Sequence, residues 1–352
     1  MPKGERESNI ELLRILSMLG VIILHYNNQT IGGGLRFVDH SSINYYGLML
    51  LESMLICAVN LFMLISGYFS CKSNRTTLQK PLELILQVMV FSFVWNWSTG
   101  VINASLSFKG LMFSLVPANY FAILYIVVYL LSPYLNLLYD KINANFISLI
   151  FLLFSVYPTI VEVFGDITNY EWLGLSSVGM YGSQWGYQVV NFIMMYYMGM
   201  YIRKNIKIIE KVKPLFWGMA LSGVVVLITI WACVSESRGS DVNLAWIYCN
   251  PLVVIEAILL FVLFKRINIG CVKWINKLSA ASFTVFLAHH RFIRYINVQW
   301  AVQQNIFVML LHMIVSSAVI YLLCFVVYII YDYISSLLLK NFKRKAIVIT
   351  QL

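Results

Sequence analysis

The sequence predicts an all-α, polytopic integral membrane protein of about ten transmembrane helices, and three observations carry that prediction. The first is composition: 60% of the 352 residues are hydrophobic and 11% charged, with mean hydropathy +0.78. A soluble domain runs nearer ~45–50% apolar and ~25% charged, so this chain has too little charge to face water on all sides. The second is the recurrence of apolar stretches of ~20 residues, the length that crosses a hydrocarbon core. The third is that basic residues gather on one side of those stretches, as cytoplasmic loops require.

The stretches run roughly over 10–28, 45–70, 80–103, 119–139, 143–163, 187–203, 214–234, 243–265, 278–299 and 305–339. The second and tenth exceed what a bilayer needs and can tilt or project past it. Loops between them are short, so 1–340 reads as one membrane domain and 341–352 as a basic cytoplasmic tail. The polar start, Met1 to Arg6, and the lack of a small-residue cleavage site after the first stretch argue against a removable signal peptide. There is no tandem repeat and no low-complexity tract.

With the N-terminus placed in the cytoplasm, only Arg36, Lys109, Arg238, Arg291 and Arg294 of the 25 Lys and Arg fall outside, leaving 20 inside. An even number of spans returns the C-terminus to the same side, so both termini are expected to be cytoplasmic. The loop after the fifth stretch carries Glu162, Asp166 and Glu171 without a basic residue, and Ser177 within it is expected outside. This bias accounts for the net charge of +10, and no basic–aromatic cluster points to nucleic acid. The six cysteines are scattered, with no CxxC, and read as small apolar fillers.

Ionisable groups inside a span are expensive, so each needs a reason. The first stretch reads Glu11-Leu-Leu-Arg14 and ends at His25. At 3.6 residues per turn the two cationic positions are about 20° apart around the helix and ~16 Å apart along it, so they share a face. They are either a functional pair or two anchors, Arg14 snorkelling to one headgroup layer and His25 sitting at the other. Glu52 in the second stretch and Glu256 in the eighth must meet a buried cation or a wet cavity.

Ser66-Gly67 allows two helices to approach closely. Lys72 and Arg75, just beyond, are either positive-inside charges or anion ligands. The fourth stretch opens Asn119-Tyr120-Phe121 and closes Tyr129-Leu-Leu-Ser-Pro133, an ordinary aromatic belt on its own. The ninth runs from Ser279 and Ser282-Phe283 to His289-His290, which the topology brings to the same side as His25. The paired histidines lack a third ligand at suitable spacing, so no metal site is predicted.

In order, Glu11-Leu-Leu-Arg14 with ten residues before His25, the Leu61–Phe69 run, Lys72 with Arg75, Tyr120-Phe121 to Pro133, Tyr196-Tyr197-Met-Gly199, and Ser282-Phe283 to His289 resemble the membrane-bound acyltransferase 3 family. Its members are bacterial O-acyltransferases of surface polysaccharides, and the resemblance spans nearly the whole chain. Three departures stand out. Lys72-Ser-Asn-Arg75 replaces the usual Arg-x-x-Arg, and Lys binds phosphate as a point charge without the guanidinium fork. Glu11 stands where Asp is common, and no SGNH-type hydrolase domain follows the tenth stretch, as in stand-alone forms.

The resemblance implies an O-acetyltransferase that uses acetyl-CoA as donor substrate, with no permanently bound cofactor. Its acceptor would be a hydroxyl of a cell-surface or lipid-linked glycan. Arg14, Lys72 and Arg75 would hold the CoA phosphates, and the extended pantetheine arm would carry the thioester towards His25. His25 would act as general base or as transient acyl carrier, its unperturbed pKa of ~6.5 suiting the first role. Glu52, Tyr120 and His289 are the acceptor-side candidates, with Glu52 near enough to orient the His25 ring. The lipid bilayer and a second copy of the chain complete the expected partners. The alternative is a transporter or flippase for a small solute or lipid-linked glycan, without acyl chemistry. Against it stand the lack of an inverted repeat and the few Gly/Pro-broken helices.

Overall fold

The structure, a computed structural model, describes residues 6–73, 75–170, 184–339 and 348–351. Lys3, Glu171, Ser177, Lys340, Lys343, Arg344 and Lys345 lie outside the described residues. In chain order the helices are α1 Ser8–Asn27, α2 Gly34–Phe37, α3 Ile43–Leu55, α4 Ala58–Ser70, α5 Gln79–Ile102, α6 Phe108–Phe113, α7 Tyr120–Asn136 and α8 Ala144–Phe151. They continue as α9 Tyr157–Thr168, α10 Val189–Ile209, α11 Pro214–Arg238, α12 Pro251–Arg266, α13 Lys273–Ala280, α14 Ser282–Ile293, α15 Val298–Val302 and α16 Ile306–Leu339. Two short antiparallel strands, β1 Arg75–Thr77 and β2 Val348–Gln351, are the only strands among the described residues.

The chain is a polytopic membrane protein. Among the described residues seven helical segments are long and apolar enough to cross a bilayer: 8–27, 43–70, 79–102, 144–168, 214–238, 242–266 and 306–337. Three of the ten expected stretches differ. α7 is shorter, at 17 residues, and α10 ends in Arg203, Lys204 and Lys207, which lower its hydropathy. The ninth stretch is not one helix: it divides into α13, α14 and α15. Its break falls at Ala281, where Ser279 spends its hydroxyl on Glu11 of another helix and Ser282 donates to the Ser279 carbonyl at 2.8 Å.

Other spans are interrupted as well, so broken helices are commoner than the sequence suggests. The second bends at Ile56-Cys57 between α3 and α4. The fifth carries a π-turn, Leu152–Val156, directly before Pro158, whose missing N–H cannot extend an α ladder. The eighth opens as a 3-10 turn over Val242–Trp246 and unwinds before Pro251. Freed carbonyls there are satisfied by buried side chains. Asn250 donates to Leu244 O and Ala245 O, Asn60 to Tyr248 O at 2.8 Å, and Ser155 to Cys249 O at 2.6 Å. An unpaired carbonyl in this environment would cost several kcal/mol, roughly.

The chain forms two compact units. The first, 1–69 with 142–330, is organised around α1, which packs on α3, α12, α13 and α14. Two thirds of the α1 window and of the 43–70 window are buried, against 22% for 214–238. The outer helices present large apolar side chains such as Phe307, Leu215 and Met219, as lipid-facing surfaces do. Within this unit α4 and α10 cross in backbone contact. A Cβ on Gly67 would lie 2.0 Å from Tyr196 O, and one on Gly199 would lie 2.1 Å from Leu64 O. The two glycine motifs of the sequence are therefore the two sides of one helix crossing.

The second unit, 70–141 with 331–352, holds α5, α6, α7, the end of α16 and the strand pair. In it α7 grips the turn that carries Lys72 and Arg75. Asn136 donates to Ser70 O at 2.7 Å and Ser73 O at 2.8 Å, and the Tyr129 hydroxyl accepts from Thr77 N. Lys80 donates to the Tyr125 hydroxyl at 2.6 Å and lies over the rings of Tyr125 and Tyr129.

Candidate active site

Helix α1 runs unbroken from Ser8 to Asn27, so Arg14 and His25 ride on one rigid element, ~16 Å apart along its axis. Its first turns are bolted to the helices around them. Ser8 donates to Asn276 Oδ1 at 2.8 Å and accepts from Val272 N at 2.7 Å. Asn9 donates to Phe264 O, and Lys265 pairs with Glu7 at 2.5 Å. Glu11 is buried, and its carboxylate accepts from Arg14 Nη1 at 3.1 and 3.3 Å and from the Ser279 hydroxyl at 2.5 Å. A carboxylate so placed fixes the Arg14 guanidinium while leaving most of its donors open. The Arg14 side chain keeps 31% of its surface exposed.

Two further cations belong to this end. Buried Tyr68 accepts from Arg203 Nη1 at 3.1 Å, with the guanidinium 4.9 Å and the Lys265 ammonium 5.6 Å from its ring centroid. By sequence alone Arg203 and Lys265 read only as positive-inside charges. Their signal was their position: each ends an otherwise apolar helix and faces the Tyr68 of the Ser-Gly-Tyr motif.

The other end of α1 holds the imidazoles. His25 stacks on His289 of α14, centroids 4.9 Å apart and planes 23° apart. The His289 Nδ1–H donates to Val285 O at 2.8 Å, because a carbonyl can only accept. In the neutral ring Nε2 then carries the lone pair, and this atom is buried with no partner among the described residues. His290 meets His289 edge-on at 5.7 Å. Two residues that are distant in sequence and lie on different helices are thus brought together.

The loop after α1 locks this end. Gly32 N–H donates to the His25 carbonyl at 3.0 Å, and a Cβ on Gly32 would lie 2.3 Å from Tyr26 O. Gly33 follows with φ +84°, a conformation that favours glycine. The Gly32-Gly33-Gly34 run was the overlooked signal for this closure. Tyr26 is tied to His312 Nδ1 at 2.8 Å.

Of the remaining candidates, Glu52 accepts from Asn27 Nδ2 at 3.0 Å and lines a cavity, so its bond is to Asn27 and not to the His25 ring. Glu256 meets no cation among the described residues; it is fully buried beside the Cys57 thiol. Tyr120, Lys72 and Arg75 lie in the second unit, Tyr120 as the first residue of α7 and the two cations exposed on either side of the turn described above. Lys72 sits 5.8 Å from the Tyr139 ring centroid.

No curated protein and no solved structure matches the chain. A family model described as an acyltransferase domain matches residues 7–329. That range begins at the Glu7–Lys265 pair and contains α1, the glycine crossing, the Lys72–Arg75 turn and both histidines. The chain belongs to the acyltransferase 3 family and is a multi-pass membrane acyltransferase.

Proposed function

We propose that this acyltransferase moves an acetyl group from acetyl-CoA to a hydroxyl of a cell-surface or lipid-linked glycan, such as a capsule, an exopolysaccharide or a cell-wall polymer. The observation that carries the reading is a single helix with a held guanidinium towards one end and a stacked imidazole pair at the other. The ~16 Å between them is a distance that an extended pantetheine arm covers. In this reading both termini are cytoplasmic, the N-terminal end of α1 meets the donor, and the acceptor enters from the opposite side. The transporter alternative is set aside, because membership of an acyltransferase family gives acyl chemistry directly.

Arg14, Arg203 and Lys265 supply cationic charge for the CoA phosphates; for Lys72 and Arg75, in the second unit, a phosphate-binding role rests on the motif alone. Two routes lead through His25. As base, it takes the acceptor O–H proton while that oxygen attacks the thioester carbon; the C–S bond breaks and the thiolate receives the proton. As carrier, its nitrogen attacks the thioester carbon, the C–S bond breaks and the thiolate takes the proton of the other ring nitrogen; the acceptor oxygen then attacks the acyl-imidazole, the C–N bond breaks and the hydroxyl proton passes to the freed imidazole. Both routes need an imidazole lone pair. His289 and Glu52 serve the acceptor side, Tyr120 of the second unit is an acceptor candidate on the strength of its motif alone, and acetyl-CoA is a substrate, not a resident cofactor.

The test is acetyl transfer and donor binding measured on the same purified variants. His25→Ala and His25→Gln should each lose at least ~10²-fold in transfer, the scale of general acid–base catalysis, while donor affinity stays near the parent value. His25→Gln retaining activity within about tenfold would remove His25 from the chemistry.

A further inference from the structure

The acyl-transfer chemistry engages His25 but not the basic residues around it. Helix α14 brings His289 and His290 to the end of α1 that carries His25. Ring centroids lie 4.9 Å apart for His25 and His289, and 5.7 Å apart for His289 and His290. Helical geometry continues through Arg294, which caps α14 with φ −61° and ψ −18°. At ~100° per residue, His290, Arg294 and Arg291 therefore fall within one arc of about 100°. Arg291 and Arg294 are three positions apart, a like-charge pair that a helix surface disfavours.

The charged or titratable neighbours that act on His290 are Arg291, His25 and Arg294, and no carboxylate is among them. Glu52 and Glu236, which line the cavity beyond α1, bond to Asn27 and His40 instead. Arg291 is half-buried and Arg294 exposed. Taking a guanidinium partly out of water is costly, and in a membrane domain such groups mark substrate paths. His289 adds a second feature. Its Nε2 lone pair is buried with no partner among the described residues, and it calls for an O–H or N–H donor. One patch of α14 beside His25 thus offers cations for an anion and a lone pair for a hydroxyl.

We propose that Arg291 and Arg294, together with His290, bind a carboxylate or phosphate carried by the acceptor glycan, so that uronate- or phosphate-bearing acceptors are selected over uncharged ones. The inference rests on the glycan reading given above and adds the charge class of the acceptor. Guanidinium groups hold either anion through paired N–H donors. An anion fixed there would keep a hydroxyl of the same or the adjoining sugar beside the His25–His289 stack.

The test is direct binding of soluble sugars to the full-length protein in nanodiscs, made once of phosphatidylcholine alone and once with phosphatidylglycerol added. Tetragalacturonate should bind at least ~10-fold more tightly than cellotetraose, and glucose 1-phosphate than glucose, the scale of one charge-assisted hydrogen bond. A gap for only one of the two anions supports the site and names its ligand. Arg291→Gln and Arg294→Gln should each shrink the gap several-fold at unchanged melting temperature. Arg238→Gln, which removes one exposed charge from the end of α11, should leave it. High ionic strength should narrow the gap in the parent protein, an arm that needs no variant to fold. Equal binding of charged and uncharged sugars, or a gap that survives both substitutions, overturns the proposal. A gap present in phosphatidylcholine but lost with phosphatidylglycerol would assign the arginines to lipid headgroups and overturn it as well. The readout is binding alone, so its failure is distinct from failure of the His25→Gln transfer test, which decides the acyl-transfer reading.

Discussion

Gly199→Ala is the substitution whose effect the structure fixes most closely. The added Cβ would lie 2.1 Å from the Leu64 carbonyl oxygen and 2.7 Å from Tyr68 N, both backbone atoms that no rotamer change can move. Ordinary contact begins at 3.4 Å, so α4 and α10 must part locally by about 1.3 Å. Overpacking of this kind costs ~1–3 kcal/mol, and more where both partners are backbone. The same displacement would stretch the 3.1 Å bond from Arg203 to Tyr68 beyond hydrogen-bond length. If those groups help to hold the donor, turnover should fall as well, since a ~1 Å misplacement costs up to ~10²-fold.

The control comes from the same structure. At Gly218 and Gly223 of α11 an added Cβ would meet nothing within 4 Å. Alanine there should be neutral or stabilising by up to ~0.5–1 kcal/mol, the usual gain in a helix interior. The assay is thermal unfolding in matched micelles, with acetyl transfer normalised to folded protein. Gly199→Ala should melt below the parent and Gly218→Ala at or above it. Equal melting of the two variants with full turnover would refute the claim that α4 and α10 touch through their backbones.

Other substitutions test the site. His289→Phe keeps a ring to stack on His25 but removes both nitrogens; donor binding should persist while acetyl transfer drops by ~10²-fold or more, and parental turnover would limit His289 to packing. Glu11→Gln keeps a group that can accept from Ser279 but cancels the ion pair that orients Arg14. Donor affinity should then weaken by up to about tenfold, ~1.4 kcal/mol, as titration of acetyl-CoA binding would reveal. Arg75→Ala should raise the donor KM by a factor corresponding to about 1.5–3 kcal/mol without loss of folded protein; an unchanged KM would make Arg75 a topological charge only.

Sequence by itself determined the solvent, the helical class and the family of this protein. Composition and ~20-residue apolar runs are properties of the chain alone, and a bilayer leaves such runs little choice but helix. The spacing of Arg14 and His25 on one face follows from helix geometry once α1 is continuous. Each glycine of the α4–α10 crossing was visible in its motif, but nothing in either motif said that the two belong together.

Tertiary structure decided every relation between distant residues. The His25–His289 stack joins positions 264 apart in sequence, and the Glu11–Ser279 bond joins positions 268 apart. Neither pairing has a local signature. Interruptions at 247–250 and at Ala281 were hidden for a related reason. Hydropathy averages over a window and does not register where a carbonyl finds its partner, and here the partners are Asn60, Ser155 and Asn250, side chains drawn from separate segments. The cavity beyond α1 was equally hidden, because Glu52 and the Glu236–Asp241 stretch share a wall only when two segments distant in the sequence are packed together.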